Sequence, residues 1–296
     1  MSAMLLEGKP VARDMLARAR DEIARLITRT GRAPELAVVR CGAEPDALAY
    51  LKAIRRSCRS VALPLREIEL PVTIGPDEFG TTIERLNRDP TVAGILVLQP
   101  LPRQLPPTLA AQSVSPLKDV DGITIANAGR LFAGLETLVP STPAGGLAIL
   151  RHYDIPLAGQ RAVVLGRSLV VGRPMALLLL SADATVTIAH SRSRELASLT
   201  READILVAAV GRPGTVRPEM VKPGATVIDF GVSVRDGVIV GDVDPAVAGV
   251  AGALTPVPGG TGVVTNAILI DNVLKAARWQ QRWPAAEAAR TAAGEE

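Results

Sequence analysis

Between two short apolar runs in the second half of the chain lies the segment Ala162-Val163-Val164-Leu165-Gly166-Arg167-Ser168-Leu169-Val170-Val171-Gly172-Arg173-Pro174. A strand-like run enters a glycine turn, and a helix is expected just after the second glycine. Such a turn presents backbone N–H groups and the positive end of a helix dipole to an anion, typically a dinucleotide phosphate. The spacing is not the usual G-x-G-x-x-G. The next strand is expected to end in Ala189-His190-Ser191-Arg192-Ser193-Arg194. A site for NAD carries a carboxylate there to accept bonds from the ribose hydroxyls, and none is present. Serine and arginine suit a 2′-phosphate instead, so the cofactor expected is NADP. Arg173 and Ser191 are the preferred phosphate contacts, with Arg192 and Arg194 in reserve. His190 reads as a cofactor-side or structural residue rather than a base, and His152 as a helix-end residue. The competing reading is a tight strand–helix turn with surface arginines.

A second candidate is Lys118-Asp119-Val120-Asp121-Gly122, in a stretch from 99 to 140 rich in Pro, Gly and polar residues. Asp-Gly is a common turn, so either aspartate is able to serve only as a loop organiser. Cys41 and Cys58 have neither disulfide nor metal spacing, and no metal site is expected. The chain has 296 residues, a net charge of +3 and no basic block with interleaved aromatics, so nucleic-acid binding is not expected. No apolar run is long enough to span a bilayer, and no targeting segment precedes Met4-Leu5-Leu6. A cytoplasmic, soluble protein is the expectation.

The elements around these segments alternate. Apolar residues recur at helical spacing over 10–29, and helices are expected over 46–60 and 76–88, with strands at 36–40, 65–70 and 93–98. A helix is expected over 141–152, with Thr142 as N-cap and Pro143 at its first position. Strands follow at 161–165, 184–189, 205–209 and 225–230, with a helix start near Ser193 and a hairpin about Asp236-Gly237. A last helix is expected over 264–278, and the tail beyond Pro284 is expected to fray. Since 48% of residues are apolar but only 2% aromatic, the cores must be aliphatic. The rhythm predicts an α/β protein with parallel sheets covered by helices on both faces.

With these segments in place, the chain resembles the bifunctional methylenetetrahydrofolate dehydrogenase/methenyltetrahydrofolate cyclohydrolase family. The matching strings are Lys118-Asp119-Val120-Asp121-Gly122, Gly166-Arg167-Ser168 with Val171-Gly172-Arg173-Pro174, Val210-Gly211-Arg212-Pro213-Gly214, Lys222-Pro223-Gly224-Ala225, Gly241-Asp242-Val243-Asp244 and Thr255-Pro256-Val257-Pro258-Gly259-Gly260. Their order and spacing match from about Leu6 to Ala277. The resemblance implies two domains: an N-terminal α/β folate domain over 1–138, completed by a C-terminal helix over 266–296, and a Rossmann-like NADP-binding domain over 139–265. It implies tetrahydrofolate one-carbon derivatives as substrates, a homodimer, and a cleft between the domains as the active site. It makes Tyr50, Asp121 and Gln99 the catalytic candidates. Gly166, Arg167, Ser168, Ser191 and Val232 match cofactor-contact positions. Asp121 and Tyr50 match the residues that meet the pterin, and Pro258, Gly259 and Gly260 line the cleft.

Three positions depart from that pattern. The family has a lysine four residues after the tyrosine, where this chain has Ile54. It has a small hydroxyl residue three before the tyrosine, where this chain has Ala47. Its glutamine before Leu-Pro-Leu-Pro is displaced, since here Leu98 precedes Gln99-Pro100. On a regular helix Lys52 stands about 200° and Arg55 about 140° around from Tyr50, so neither replaces the lysine. Hydride transfer depends mainly on positioning two rings, whereas hydrolysis of the methenyl product needs a proton-transferring group. The expectation is a dehydrogenase with weak or absent cyclohydrolase activity. The alternatives are an NADP-dependent dehydrogenase of another small substrate and a non-catalytic NADP- or folate-binding module.

Overall fold

The computed structural model describes residues 3–235 and 237–292, with side chains to Gln281 apart from that of Asp46. In chain order its elements are β1 (Met4–Leu5), α1 (Gly8–Thr30), β2 (Glu35–Cys41), α2 (Pro45–Ser60), β3 (Leu65–Leu70), α3 (Pro76–Arg88), β4 (Val92–Val97), α4 (Leu109–Ser113) and α5 (Ile125–Phe132). There follow α6 (Ser141–His152), β5 (Arg161–Leu165), α7 (Gly172–Leu180), β6 (Thr185–Ala189), α8 (Leu196–Arg201), β7 (Ile205–Ala208), β8 (Thr226–Asp229), β9 (Ser233–Arg235), β10 (Val238–Val240), β11 (Ala253–Leu254) and α9 (Thr261–Ala292). They form two compact units. One holds Met15–Arg130, Glu136–Val139 and the chain from Leu269 on; the other holds the residues up to Asp14, Leu131–Leu135 and Pro140–Ile268.

The first unit is built on a three-stranded parallel sheet in the order β3-β2-β4. β4, Val92–Val97, is buried along its whole length, as expected of a parallel strand covered on both faces. Alternate residues serve opposite layers. Leu36, Val38 and Leu96 pack with Leu51, Ile54 and Cys58 of α2 and with Leu269, Val273 and Leu274 of α9. Ala37, Val39 and Ile95 pack with Phe79, Ile83 and Leu86 of α3. α2 begins with Pro45, a residue well suited to a first helical position. Its Tyr50, Leu51, Ile54 and Cys58 recur at the three- and four-residue spacing of one face.

The second unit holds a six-stranded parallel sheet, β1-β11-β8-β7-β5-β6. From β5 the chain goes one way to β6 and then returns past β5 to β7. The strand order therefore reverses at β5, where open α/β sheets form a crevice at the carboxyl ends of their strands. The sequence signals no strand at Met4–Leu5, because a two-residue pairing has no period to read. Its partner is Ala253–Leu254.

Three local boundaries differ from the sequence reading. α6 starts at Ser141 after Pro140, with no side-chain cap from Thr142. α8 starts at Leu196, because Glu195 takes a left-handed conformation at φ 49°. The last helix runs from Thr261 to Ala292 instead of stopping at 278. β9 and β10 pair antiparallel as a hairpin; Asp236 of its turn and the end of the tail lie outside the described residues. Among the described residues no helix is long and apolar enough to cross a membrane.

Candidate active site

In the six-stranded unit the segment from 165 to 173 forms an anion-ready turn. Gly166 has φ 119°, and a Cβ there would run into the carbonyl oxygen of Ala209, so the loop after β5 packs directly on the loop after β7. Ser168 Oγ accepts from the Val171 and Gly172 N–H groups, both at 3.2 Å, and caps α7 from within the loop. Its hydroxyl proton stays free to donate. The N–H groups of Arg167, Ser168, Leu169 and Val170 find no acceptor among the described residues. Arg173 Nε braces the loop at the Arg167 carbonyl, 3.2 Å away. Four free amides beside a helix start, with two guanidinium groups at hand, fit a pyrophosphate.

The turn after β6 is held by His190. Its Nδ1 accepts from the Arg192 N–H at 3.2 Å, and its own main-chain N–H donates to Ser193 Oγ at 3.0 Å. His190 is thus a brace for the turn that exposes Ser191, Arg192 and Arg194. None of these arginines is in an ion pair among the described residues. In the same unit Val232 is exposed after β8. The loop at Pro258, Gly259 and Gly260 is anchored where the Gly259 carbonyl accepts from the Gly8 N–H at 2.8 Å.

In the three-stranded unit the segment Lys118–Gly122 runs beside β4, with the Ile95 N–H donating to the Lys118 carbonyl at 2.7 Å. The two aspartates divide the work. Asp119 is buried, and its carboxylate accepts from the N–H groups of Ile123 and Thr124 and from Asn127 Nδ2, at 2.8–3.1 Å. Asn127 is itself held by Thr137 and the Pro116 carbonyl. Asp121 accepts nothing among the described residues. Burial, and secondarily the charge of Asp119, pushes its carboxyl up to about 7. Burial, and then the Asp121 carboxylate, pushes the Tyr50 phenol well above its usual value. Asp121 is therefore a carboxylate with open acceptor sites beside a half-buried aromatic ring, a pair suited to a flat, N–H-rich heterocycle.

Ile54 is only 1% exposed and lies in the apolar cluster between α2, the sheet and α9. α2 is regular through this region. Lys52 is exposed, and Arg55 is committed to a two-pronged pair with Glu67 at 2.8 Å. Neither enters the wall beside Tyr50.

Two family models match the chain. "Tetrahydrofolate dehydrogenase/cyclohydrolase, catalytic domain" covers residues 6–121. "Tetrahydrofolate dehydrogenase/cyclohydrolase, NAD(P)-binding domain" covers 140–281. The chain belongs to the tetrahydrofolate dehydrogenase/cyclohydrolase family. It is 51% identical to the "Bifunctional protein FolD" of Thermomicrobium roseum over 277 residues, 94% of this chain and 96% of that one. The protein of the same name from Chloroflexus aurantiacus is also 51% identical, over 280 residues, 94% of this chain and 98% of that one. Among solved structures, the bifunctional FolD enzyme of Campylobacter jejuni superposes with a TM-score of 0.92 at 37% identity, covering 94% of this chain and all of that one. The Trypanosoma brucei FolD, solved with NADP and an inhibitor, gives 0.90 at 34%, covering 95% and 99%.

The family fits what each unit shows. The expected two-part α/β fold with a Rossmann-like dinucleotide domain is the one observed. The relatives' bifunctional name speaks for both activities, and so gives no support to the expected weakness of hydrolysis. Nor do the comparisons favour another substrate or a non-catalytic module.

Gln99 is not turned into the wall. It is exposed, and its Oε1 accepts from the Leu101 N–H at 3.3 Å. Leu98 holds the inward position at 4% exposure. A shift of one residue at the end of a strand reverses the side chain's face. Two residues that sequence reasoning passed over are Asp229 and Asp242, both buried at the carboxyl end of the six-stranded sheet. The string Gly241-Asp242-Val243-Asp244 was a signal for the second. Among the described residues no group of three or more His, Cys, Asp or Glu side chains is arranged to hold a metal.

Proposed function

We propose that this chain oxidises 5,10-methylenetetrahydrofolate to 5,10-methenyltetrahydrofolate, with NADP as hydride acceptor. The observation that carries the reading is Asp121. It is the one aspartate of its loop left with open acceptor sites, beside Tyr50. Its carboxylate is matched to the N–H donors along the edge of a pterin ring, and Tyr50 offers the ring a packing face. On the other unit the free amides of 167–170 and the Ser168 hydroxyl hold the pyrophosphate. Ser191 and Arg173, with Arg192 and Arg194, hold the 2′-phosphate and favour NADP over NAD. NADP supplies the hydride acceptor when bound. The chain's own contribution is to fix each ring in place.

Hydrolysis of the methenyl product to 10-formyltetrahydrofolate is the second activity that the family name carries, and it is the expectation for this chain as well. Residue 54 has no proton to offer it. We infer that the proton transfers of ring opening run through a group other than the one the resemblance implies, and the expected outcome is hydrolysis slower than oxidation. A homodimer and a cytoplasmic setting complete the reading.

One experiment tests both halves. Purified protein is given methylenetetrahydrofolate and NADP, and the appearance of NADPH is followed. The methenyl chromophore is then followed separately without NADP. Absence of NADP reduction sinks the reading. Hydrolysis as fast as oxidation sinks the inference drawn from Ile54.

A further inference from the structure

Two carboxylates with no part in the site described above lie under the dinucleotide turns. Asp229 closes β8 and is 2% exposed; Asp242 is fully buried. Asp229 Oδ1 accepts from the Gly231 N–H at 2.7 Å and from the Asp242 N–H at 3.0 Å, and its Oδ2 from the Val243 N–H at 3.0 Å. Asp242 Oδ2 accepts from the N–H groups of Val210 and Gly211 at 2.7 and 2.9 Å. The main chain of Asp229 is bound as well. Its N–H donates to Thr255 Oγ1 at 2.8 Å, and its carbonyl accepts from Thr261 Oγ1 at 2.9 Å. The two side chains tie together the loop after β7, the loop after β8 and the segment after β10, and the main chain of Asp229 adds the residues on either side of Pro258.

The arrangement is costly. Asp242 Oδ1 is buried with no partner among the described residues. Burial pushes the Asp229 carboxyl above its ordinary range, its three amide bonds pull it back, and Asp242 adds to the rise. A Cβ on Gly231 would strike both the amide nitrogen and the carboxylate of Asp242, so the chain has no room to relax there. Apolar side chains would fill the same space at lower cost. The carboxylates do what an apolar pair cannot: they fix five particular amides.

Three of those amides, Val210, Gly211 and Gly231, lie in the loops after β7 and β8, at the carboxyl end of the sheet. Gly231 precedes Val232, a cofactor-contact position. Val210 and Gly211 follow Ala209, whose carbonyl is the surface on which Gly166 packs. We propose that Asp229 and Asp242 are positioning residues for the dinucleotide, holding the turns at 209–211 and 231–232 against the glycine turn at 166. The proposal rests on the reading that this unit binds NADP.

The test titrates NADP directly into the full-length wild type and the Asp242→Ala and Asp242→Asn variants, alongside steady-state kinetics. Loss of two charge-assisted bonds in Asp242→Ala is expected to weaken NADP binding by roughly tenfold or more. The KM for NADP rises with it, while the KM for the folate and kcat at saturating NADP stay near wild type. Asp242→Asn keeps an oxygen for the two amides, and its nitrogen takes the place of the unpartnered Oδ1. It is expected to recover most of the affinity. Unchanged affinity in Asp242→Ala, or an equal rise in both KM values, overturns the proposal and leaves the function standing. A wild type that binds no NADP overturns both. Amide exchange in the wild type needs no variant to fold. The amides of Val210, Gly211 and Gly231 are expected to exchange slowly before NADP is added, and exchange as fast as in open loops overturns the proposal.

Discussion

Asp119 and Asp121 stand two residues apart, and the bonds made by the first leave the second free. Asp119 spends both oxygens on Ile123, Thr124 and Asn127, and so closes the loop that carries Asp121. Either aspartate suits a turn on composition alone. The structure gives the organising task to one and leaves an open carboxylate on the other.

This division predicts opposite effects from matched substitutions. Asp119→Ala strands two backbone donors and an amide in a buried site, which is expected to cost about 3 kcal/mol or more of stability. Asp121→Ala removes a carboxylate with no protein partner, and is expected to leave the melting temperature near wild type while abolishing folate-dependent NADP reduction. Thermal melts and the NADPH assay on the two variants check the contrast. Equal destabilisation would mean that Asp121 also organises the loop.

The carboxyl of Asp121 is pushed up to about 7, so the charge proposed to accept from the pterin is half formed at neutral pH. Below that value the protonated acid loses acceptor capacity, and the folate KM is expected to rise by about fivefold as pH falls from 7 to 6, and to approach tenfold per pH unit below that. For folding the sign is opposite. A carboxyl with a raised folded pKa favours the folded state at low pH, and that contribution is lost as pH climbs from the unfolded value through 7. The folate KM measured from pH 6 to 8 in wild type and Asp121→Asn separates this group from others, because the variant should lose the slope.

The sequence made some of this legible and hid the rest for physical reasons. β7, and β5 beyond Arg161, are runs of Val, Ile, Leu and Ala buried on both faces, and such runs need no partner to be recognised. Ile54 and Leu98 were readable because helix and strand periods assign a face by counting. β1 was not, since its two residues owe their state to Ala253 and Leu254. Asp229 was not, and the role of Asp242 was not although its string was quoted, because the amide partners lie as far as 32 residues away and composition carries no trace of a side chain bonded to a distant backbone. The committed pair of Arg55 with Glu67 bridges a helix and a strand and was equally invisible.

The absence of a carboxylate near Ser191 predicts how the cofactor choice will move. Ser191 is exposed at the end of β6, next to Arg192 and near Arg194. On the proposed reading, a carboxylate placed there would meet the 2′-phosphate at close range and accept from a free ribose hydroxyl. Like-charge repulsion of about 1–3 kcal/mol in a half-solvated site corresponds to a loss of about 5–150-fold in NADP affinity for Ser191→Asp. Binding of NAD is expected to hold or tighten. Titration of both dinucleotides checks the ratio, and an unchanged ratio would move the 2′-phosphate contact to another residue.

Ile54 carries the strongest prediction about catalysis. In Ile54→Lys an amine enters an apolar cluster with Leu51, Cys58 and Leu98. Burial disfavours its charge and draws its pKa down toward neutrality, which is the condition for a proton-transferring group. Hydrolysis of the methenyl substrate is therefore expected to rise on the order of 100-fold over wild type, the usual scale of general acid–base catalysis. Oxidation, which rests on ring placement, should stay within a few-fold. The melting temperature should fall, because the same desolvation that tunes the amine opposes folding. Decay of the methenyl absorbance, appearance of NADPH and a thermal melt report the three effects separately. If hydrolysis does not rise, residue 54 does not limit it, and the inference drawn from Ile54 falls.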